Sequence, residues 1–250
     1  LLVTYLPAAS QPAPRPRMGP AEALAAALET LGRPAGPAAA PLEHVIESPG
    51  LPGVDSVLVV QVESLSAALL DPPAGATPVL PRLRELAERS LWFTNAWQSF
   101  STTAGGVFAT VTGLPRTALG ERRGTFTPPE VDGVFDSLPR ILGPGHEALF
   151  AIGFHQSAHD YRAFAAAQGY RFAGGAELRA EVQGDHEPSR LEGPLGLFDG
   201  PLLEAVVRRL ARLSRPFVAH VVTSTSHPPW AVPSDFESPF SDVRLRAFHY

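Results

Sequence analysis

From Asp55 onward the sequence predicts an α/β fold, a sheet covered by helices, and three observations carry the prediction. Apolar runs of strand length alternate with amphipathic stretches of helix length, spaced as in βα units. Two of the runs, VLVVQV and FVAHVV, are apolar but for one residue each, as strands buried within a sheet are. Both end in residues that can do chemistry, Glu63 and His227, and ligands in open α/β sheets bind outside the carboxyl ends of strands.

In chain order, residues 1–53 read as a Pro/Ala/Gly-rich linker carrying one short helix, 20–31, whose Pro20 suits the first turn. Residues 54–250 read as the N-terminal part of a catalytic domain. Its expected strands are 56–62, 91–94, 148–152 and 217–223; its expected helices are 78–89, 103–112, 160–168, 200–213 and 242 onward. No internal repeat is evident.

Composition narrows the function classes. A chain of 250 residues with 44% hydrophobic and 18% charged residues suffices for one sizeable α/β domain plus a linker. A net charge of -5 argues against nucleic acid as a partner, since a binder would show a strongly basic face. The chain has no cysteine, which excludes disulfides, thiolate metal sites and a thiol nucleophile and leaves the compartment unread from redox chemistry. No segment reaches the ~18 apolar residues of a membrane span, and the opening LLVTYL is too short to cross, although it is compatible with the tail of a span lost upstream. A signal peptide is not indicated, because no basic region precedes that run. The chain starts without methionine and ends inside an expected helix, so a fragment is expected.

Three motifs hold candidate chemistry. In VLVVQVESL a strand delivers Glu63, a hard oxygen ligand for a divalent cation; the same residues also describe a buried strand followed by a loop acid. In STTAGGVFATVTGLP a hydroxyl stands at a helix N-terminus, where the free N–H groups favour an oxyanion or phosphate. Thr103 is the candidate nucleophile there, activated by coordination to a metal that Glu63 helps to hold; an ordinary N-cap is the alternative. In PFVAHVVTSTSHPPW, His227 ends a strand and can donate to a phosphate oxygen or a leaving group, with an exposed loop histidine as the alternative.

Taken in order, these motifs resemble the lipoteichoic acid synthase and phosphoglycerol transferase branch of the sulfatase and alkaline phosphatase superfamily. The residues that carry the resemblance are Glu63-Ser64, Thr103 with Phe108 and Gly113-Leu114-Pro115, the Ser-Leu-Pro-x-x-Leu of 137–142, Gly169-Tyr170 before Phe172, and Thr225-Ser226-His227. The resemblance implies an alkaline-phosphatase-like sandwich with a mixed, mostly parallel sheet, incomplete at the C-terminus. It implies a divalent metal, manganese first with magnesium, zinc or calcium as alternatives, held by Glu63 and Thr103. It further implies a lipid or glycan phosphodiester as substrate, a covalent intermediate on Thr103, and substrate contacts from His227, Arg162 and His159. Arg162 in AHDYRAF is shifted by about a residue from the family's phosphate-binding arginine and also reads as a helix-surface residue. His155 and His159 lie beside it and also read as loop histidines. The resemblance places the catalytic domain outside the cell membrane, anchored through segments absent from this chain.

Two departures stand out. The Cys/Ser-x-Pro-x-Arg frame that matures to formylglycine is missing, which disfavours sulfate-ester chemistry of that kind. The Asp-His pair that completes the family's metal site belongs on a strand after Ser-x-His, beyond Tyr250; Gly184-Asp185-His186 comes too early and reads as loop. The expectation is therefore a metal-dependent phosphoglycerol-type transferase in the parent protein, with an inactive fragment here. The alternatives are a hydrolase of phosphate or sulfate esters and a metal-free binding relative.

Overall fold

The computed structural model describes residues 19–30, 55–70, 76–98, 100–114, 134–155, 161–213 and 216–250. The chain divides into two compact units, residues 1–52 and 53–250. In the first, the one described element is helix α1 (Pro20–Thr30), opened by Pro20 with Glu22 in its first turn, where an acid complements the helix dipole.

The second unit is built on a four-stranded parallel sheet of β1 (Val57–Gln61), β2 (Glu147–Ile152), β3 (Arg171–Ala173) and β6 (Phe217–Val222), in the spatial order β1-β6-β2-β3. The last strand in sequence thus lies between the first two. The only antiparallel pairing among the described strands is the small hairpin of β4 (Glu192–Gly193) and β5 (Gly196–Leu197). The strands expected at 56–62, 148–152 and 217–223 are present. Residues 91–94 form no strand; this apolar run finds no neighbour in the sheet, and its side chains stand exposed.

Helices cover the sheet on both faces. Alternation along the strands sorts their side chains: Phe150, Ile152, Val218 and Val222 join one core with Val107, Phe108 and Val111 of α3 (Thr103–Thr112) and Tyr161 and Phe164 of α5 (Tyr161–Ala167). Ala151, Ala173 and Val221 face the other core, with Leu178 and Val182 of α6 (Gly175–Val182) and Leu202, Ala205 and Val206 of α8 (Asp199–Leu210). Phe108 is wholly buried and meets Phe135 edge-on at 5.5 Å. β6 is buried from Val218 to Val222 because it is flanked on four sides, which explains a sequence that is apolar but for His220. β1 sits at the edge, and its Leu58 and Val60 are exposed.

The remaining helices are α2 (Pro81–Glu88), α4 (Leu138–Leu142), α7 (Pro188–Leu191) and α9 (Val243–His249). Among the described residues no helix is long and apolar enough to cross a membrane. One turn fixes the approach to β3: Gly169, with φ 86°, ends α5, and Ser137 Oγ donates to the Gln168 carbonyl at 2.6 Å while Gln168 Oε1 accepts from Phe135 N at 2.9 Å. The left-handed backbone there suits glycine, which has no Cβ to clash.

Candidate active site

Parallel pairing in register brings Gln61, Val222 and Ile152 level with one another, so the segments leaving β1, β6 and β2 gather at one end of the sheet. The strand-end turn after β1 carries Glu63. Ser64 adopts a left-handed conformation, φ 55°, that turns the chain sharply away just beyond the carboxylate. Two hydrogen bonds from the β6 end hold the Glu63 backbone. Its N–H donates to Thr223 Oγ1 at 3.0 Å, and its carbonyl accepts from Ser226 Oγ at 2.6 Å. Thr223 and Ser226 are both buried, so these bonds are shielded from water.

The Glu63 side chain is occupied on both oxygens: Oε2 accepts from Thr103 Oγ1 at 2.8 Å and Oε1 from Ser64 Oγ at 3.1 Å. Thr103 is the first residue of α3. Its neighbour Thr102 is the N-cap, with extended backbone and a side chain that accepts from Gly105 N at 3.3 Å. The two threonines therefore divide the tasks: Thr102 caps the helix, and the Thr103 hydroxyl is free to face the carboxylate. The small residues that follow make the approach possible. A Cβ on Gly105 would lie 2.3 Å from Phe100 Cδ1, and one on Gly106 would lie 3.1 Å from Gln61 Nε2.

Glu63, Ser64, Thr102 and Thr103 line an open cleft of about 890 Å³, together with Gln61 and Trp97. Tyr161, at the start of α5, lies near enough to feel the carboxylate: burial first, then the Glu63 charge, push its phenol well above the ordinary value, so it stays protonated. Beneath the cleft, Gln61 Oε1 lies 3.3 Å from Nε2 of the buried His220.

The other expected residues fall elsewhere. His227 stands on the turn after β6 and borders a small recess beside the hairpin, with Gly193, Leu197 and Ser224. Its Nδ1 lies 2.7 Å from the Pro228 carbonyl, and its ring meets Phe154 edge-on at 6.2 Å. Next to it, Ser226 is the residue bound to the Glu63 carbonyl. Arg162 turns away from the cleft. Its guanidinium donates to Glu177 Oε1 at 2.9 Å and lies 4.7 Å above the Phe172 ring on β3, at the opposite edge of the sheet from β1. His155 is exposed, and His159 lies outside the described residues. Asp185 and His186 belong to a turn after α6 and bind Arg208 and Glu204, respectively, so this pair is a surface ion-pair element.

One residue with no local sequence signal positions the site. Asp199, the first residue of α8, accepts from Ser224 N at 2.9 Å and Thr225 N at 3.0 Å, and its own N–H donates to Thr225 Oγ1 at 2.8 Å. This clamp fixes the turn that in turn holds Glu63. Replacement by alanine leaves two backbone donors unpaired, and Asp199→Ala is expected to cost about 2 kcal/mol in urea denaturation. Asp199→Asn, which keeps one acceptor oxygen, is expected to recover about half of that loss.

Sequence comparison shows the family, and structural comparison the fold. The sulfatase family profile matches residues 55–245. A protein of the alkaline phosphatase superfamily from Vibrio parahaemolyticus is similar in structure, with a TM-score of 0.61 at 21% identity, covering 78% of this chain and 47% of that one. The lipoteichoic acid synthase LtaP from Listeria monocytogenes is similar at a TM-score of 0.62 and 19% identity, covering 78% of this chain and 48% of that one. The chain therefore spans about half the length of these two structures, and at these identities the likeness is one of fold. No curated protein matches the chain. With an α/β sheet flanked by helices like that of its alkaline-phosphatase-like neighbours, and a profile match over most of its length, the chain belongs to the sulfatase family.

Proposed function

We propose that this chain carries the nucleophile-bearing part of a metal-dependent phosphodiester transferase of phosphoglycerol type, acting on a lipid or glycan phosphodiester at the outer side of the cell membrane. The observation that carries the reading is the 2.8 Å hydrogen bond from Thr103 Oγ1 to Glu63 Oε2, made at a helix N-terminus on the wall of an open cleft. A hydroxyl in such a place is poised to lose its proton to the carboxylate, and the first turn of the helix favours the anionic phosphate that it attacks.

Sulfatase-family members generally use a divalent metal. Glu63 and Thr103 offer two converging oxygens, the donor type that manganese, magnesium and calcium take, so these residues fit the ion as two of its ligands. Among the described residues no group of three or more His, Cys, Asp or Glu side chains could hold a metal. Glu63 and Thr103 would hold the cation, which would supply Lewis-acid activation of the hydroxyl and offset charge on the phosphate.

In the proposed reaction Thr103 Oγ attacks phosphorus, an O–P bond forms, and the ester bond to the leaving alcohol breaks. The threonine proton passes to Glu63. Glu63 returns that proton to the departing alcohol, leaving a phosphodiester of Thr103 that keeps the other ester group; the acceptor hydroxyl then attacks phosphorus, the bond from Thr103 Oγ to phosphorus breaks, and the acceptor's proton passes by way of Glu63 to the restored Thr103 hydroxyl. His227 is the proposed phosphate contact, a reading supported by its neighbour Ser226, whose hydroxyl ties this turn to the Glu63 strand end. With Nδ1–H given to the Pro228 carbonyl, its Nε2 is the nitrogen left to contact substrate.

The test is to capture the intermediate. The full-length protein, supplied with manganese and a phosphatidylglycerol-type diester but no acceptor, is expected to gain the mass of one glycerophosphoryl adduct, mapped to the peptide containing Thr103. Release of product with no adduct, equally in wild type and Thr103→Ala, would overturn the assignment.

A further inference from the structure

The segment between α2 and α3 departs from the ordinary treatment of apolar side chains. Leu91, Phe93 and Trp97 are 83%, 70% and 89% exposed, and none of them joins either core. Scattered exposed apolar residues need no explanation, but Trp97 also lines the cleft that holds Glu63 and Thr103. Its indole does not hang free. Nε1 donates to Asn95 Oδ1 at 2.7 Å, which satisfies the single polar atom of the ring and leaves the ring faces open. An indole whose N–H is already paired can be covered by an apolar group without stranding a donor. Much of the remaining cleft wall carries hydroxyl, amide and carboxylate groups, from Gln61, Glu63, Ser64, Gln98 and Thr102. Those groups suit the phosphate, and Trp97 is the large exposed apolar side chain on the wall.

Resting on the transferase reading above, we propose that Trp97 is the specificity wall of the cleft, packing against the ester group of the phosphodiester and selecting groups that present a broad C–H face. Two sources offer that chemistry, an acyl or alkyl chain and the face of a sugar ring. Covering about 60 Å² of the indole is worth roughly a tenfold gain in affinity over a group too small to reach it. Trp97 touches no reacting atom, so its loss changes which diester binds and leaves the Thr103–Glu63 pair intact.

The experiment is calorimetry on the full-length protein in manganese buffer, in a Thr103→Ala background that prevents turnover. Dimethyl phosphate, dibutyl phosphate and a methyl glucosyl phosphodiester are compared. The expected result is about tenfold tighter binding of one of the larger diesters than of dimethyl phosphate. That preference is expected to vanish in Trp97→Ala and to persist in Trp97→Phe. Which larger diester wins assigns the face to a chain or to a sugar. Equal affinities for all three, an absence of binding, or a preference that survives Trp97→Ala would overturn the inference. Because binding is read without turnover, a missing covalent adduct would strike the transferase reading alone.

Discussion

Thr103→Ala is expected to lower turnover by at least about 10³-fold, because the nucleophile is removed and, among the described residues, no other hydroxyl is hydrogen-bonded to Glu63 Oε2. The fold should survive. Thr102, not Thr103, caps α3, so the variant loses one hydrogen bond, worth about 1 kcal/mol, and keeps its helix start. Thr103→Ser retains the oxygen and is expected to recover part of the rate. Glu63→Gln keeps the shape and an acceptor but loses the charge, and its rate is expected to fall nearly as far. The double variant should be little slower than either single one, since groups that act as a unit lose their effect together. These outcomes are read from kcat on a diester substrate beside the thermal midpoint of each variant. Full activity in Thr103→Ala would remove the nucleophile assignment, whatever the stability data show.

That prediction rests on residues legible in the sequence, and the reason is local. A strand followed by Glu-Ser, and a threonine pair before Ala-Gly-Gly, are contiguous patterns whose chemistry is set by what comes next in the chain. The buried strands β2 and β6 were equally legible, because burial on both faces leaves a mostly apolar run, Ala148 to Ile152 in one and all but His220 in the other. The run at 91–94 looked similar and failed, since β-prone residues make a strand only where a neighbour is free to pair. β3 has three residues, and α6, GAELRAEV, opens on glycines with little amphipathic contrast, so neither rose above its surroundings. Asp199 was beyond reach for a different reason: its partners Ser224 and Thr225 are 25 and 26 residues away, and no local spacing encodes that pairing. Arg162 illustrates the converse. An arginine in a suggestive place along the sequence is taken by Glu177, fifteen residues on, in the first turn of α6. The same holds for the strand order, which sets β6 between β1 and β2 and so joins Glu63 to the Ser226 turn.

A second large effect is expected from pH. His220 is 1% exposed in the middle of the central strand, flanked in register by Val59 and Phe150, and burial pushes its pKa down to about 4 from an ordinary 6.5. It is therefore neutral in the fold, with Nε2–H directed at Gln61 Oε1. Unfolding exposes the ring, which then binds a proton at its ordinary pKa. Between pH 6.5 and about 4 the unfolded chain holds more protons than the folded one, so stability falls as the pH drops through this window, by about 3 kcal/mol in all. Below pH 4 both states are protonated and this contribution ends. The window separates His220 from the carboxylates. Glu181, held low chiefly by the hydrogen bond from Arg212, and Asp242, held at about 2 chiefly by Arg244, take up protons in the unfolded chain only near their ordinary values of 4.5 and 3.8. A decline that begins near pH 6.5 is thus the signature of the buried imidazole. Urea midpoints measured from pH 7.5 to 4.5 should trace it, and His220→Gln, which keeps a polar partner for Gln61 but has no proton to gain, should flatten the upper part of the curve. A slope unchanged in that variant would assign the upper window to other groups.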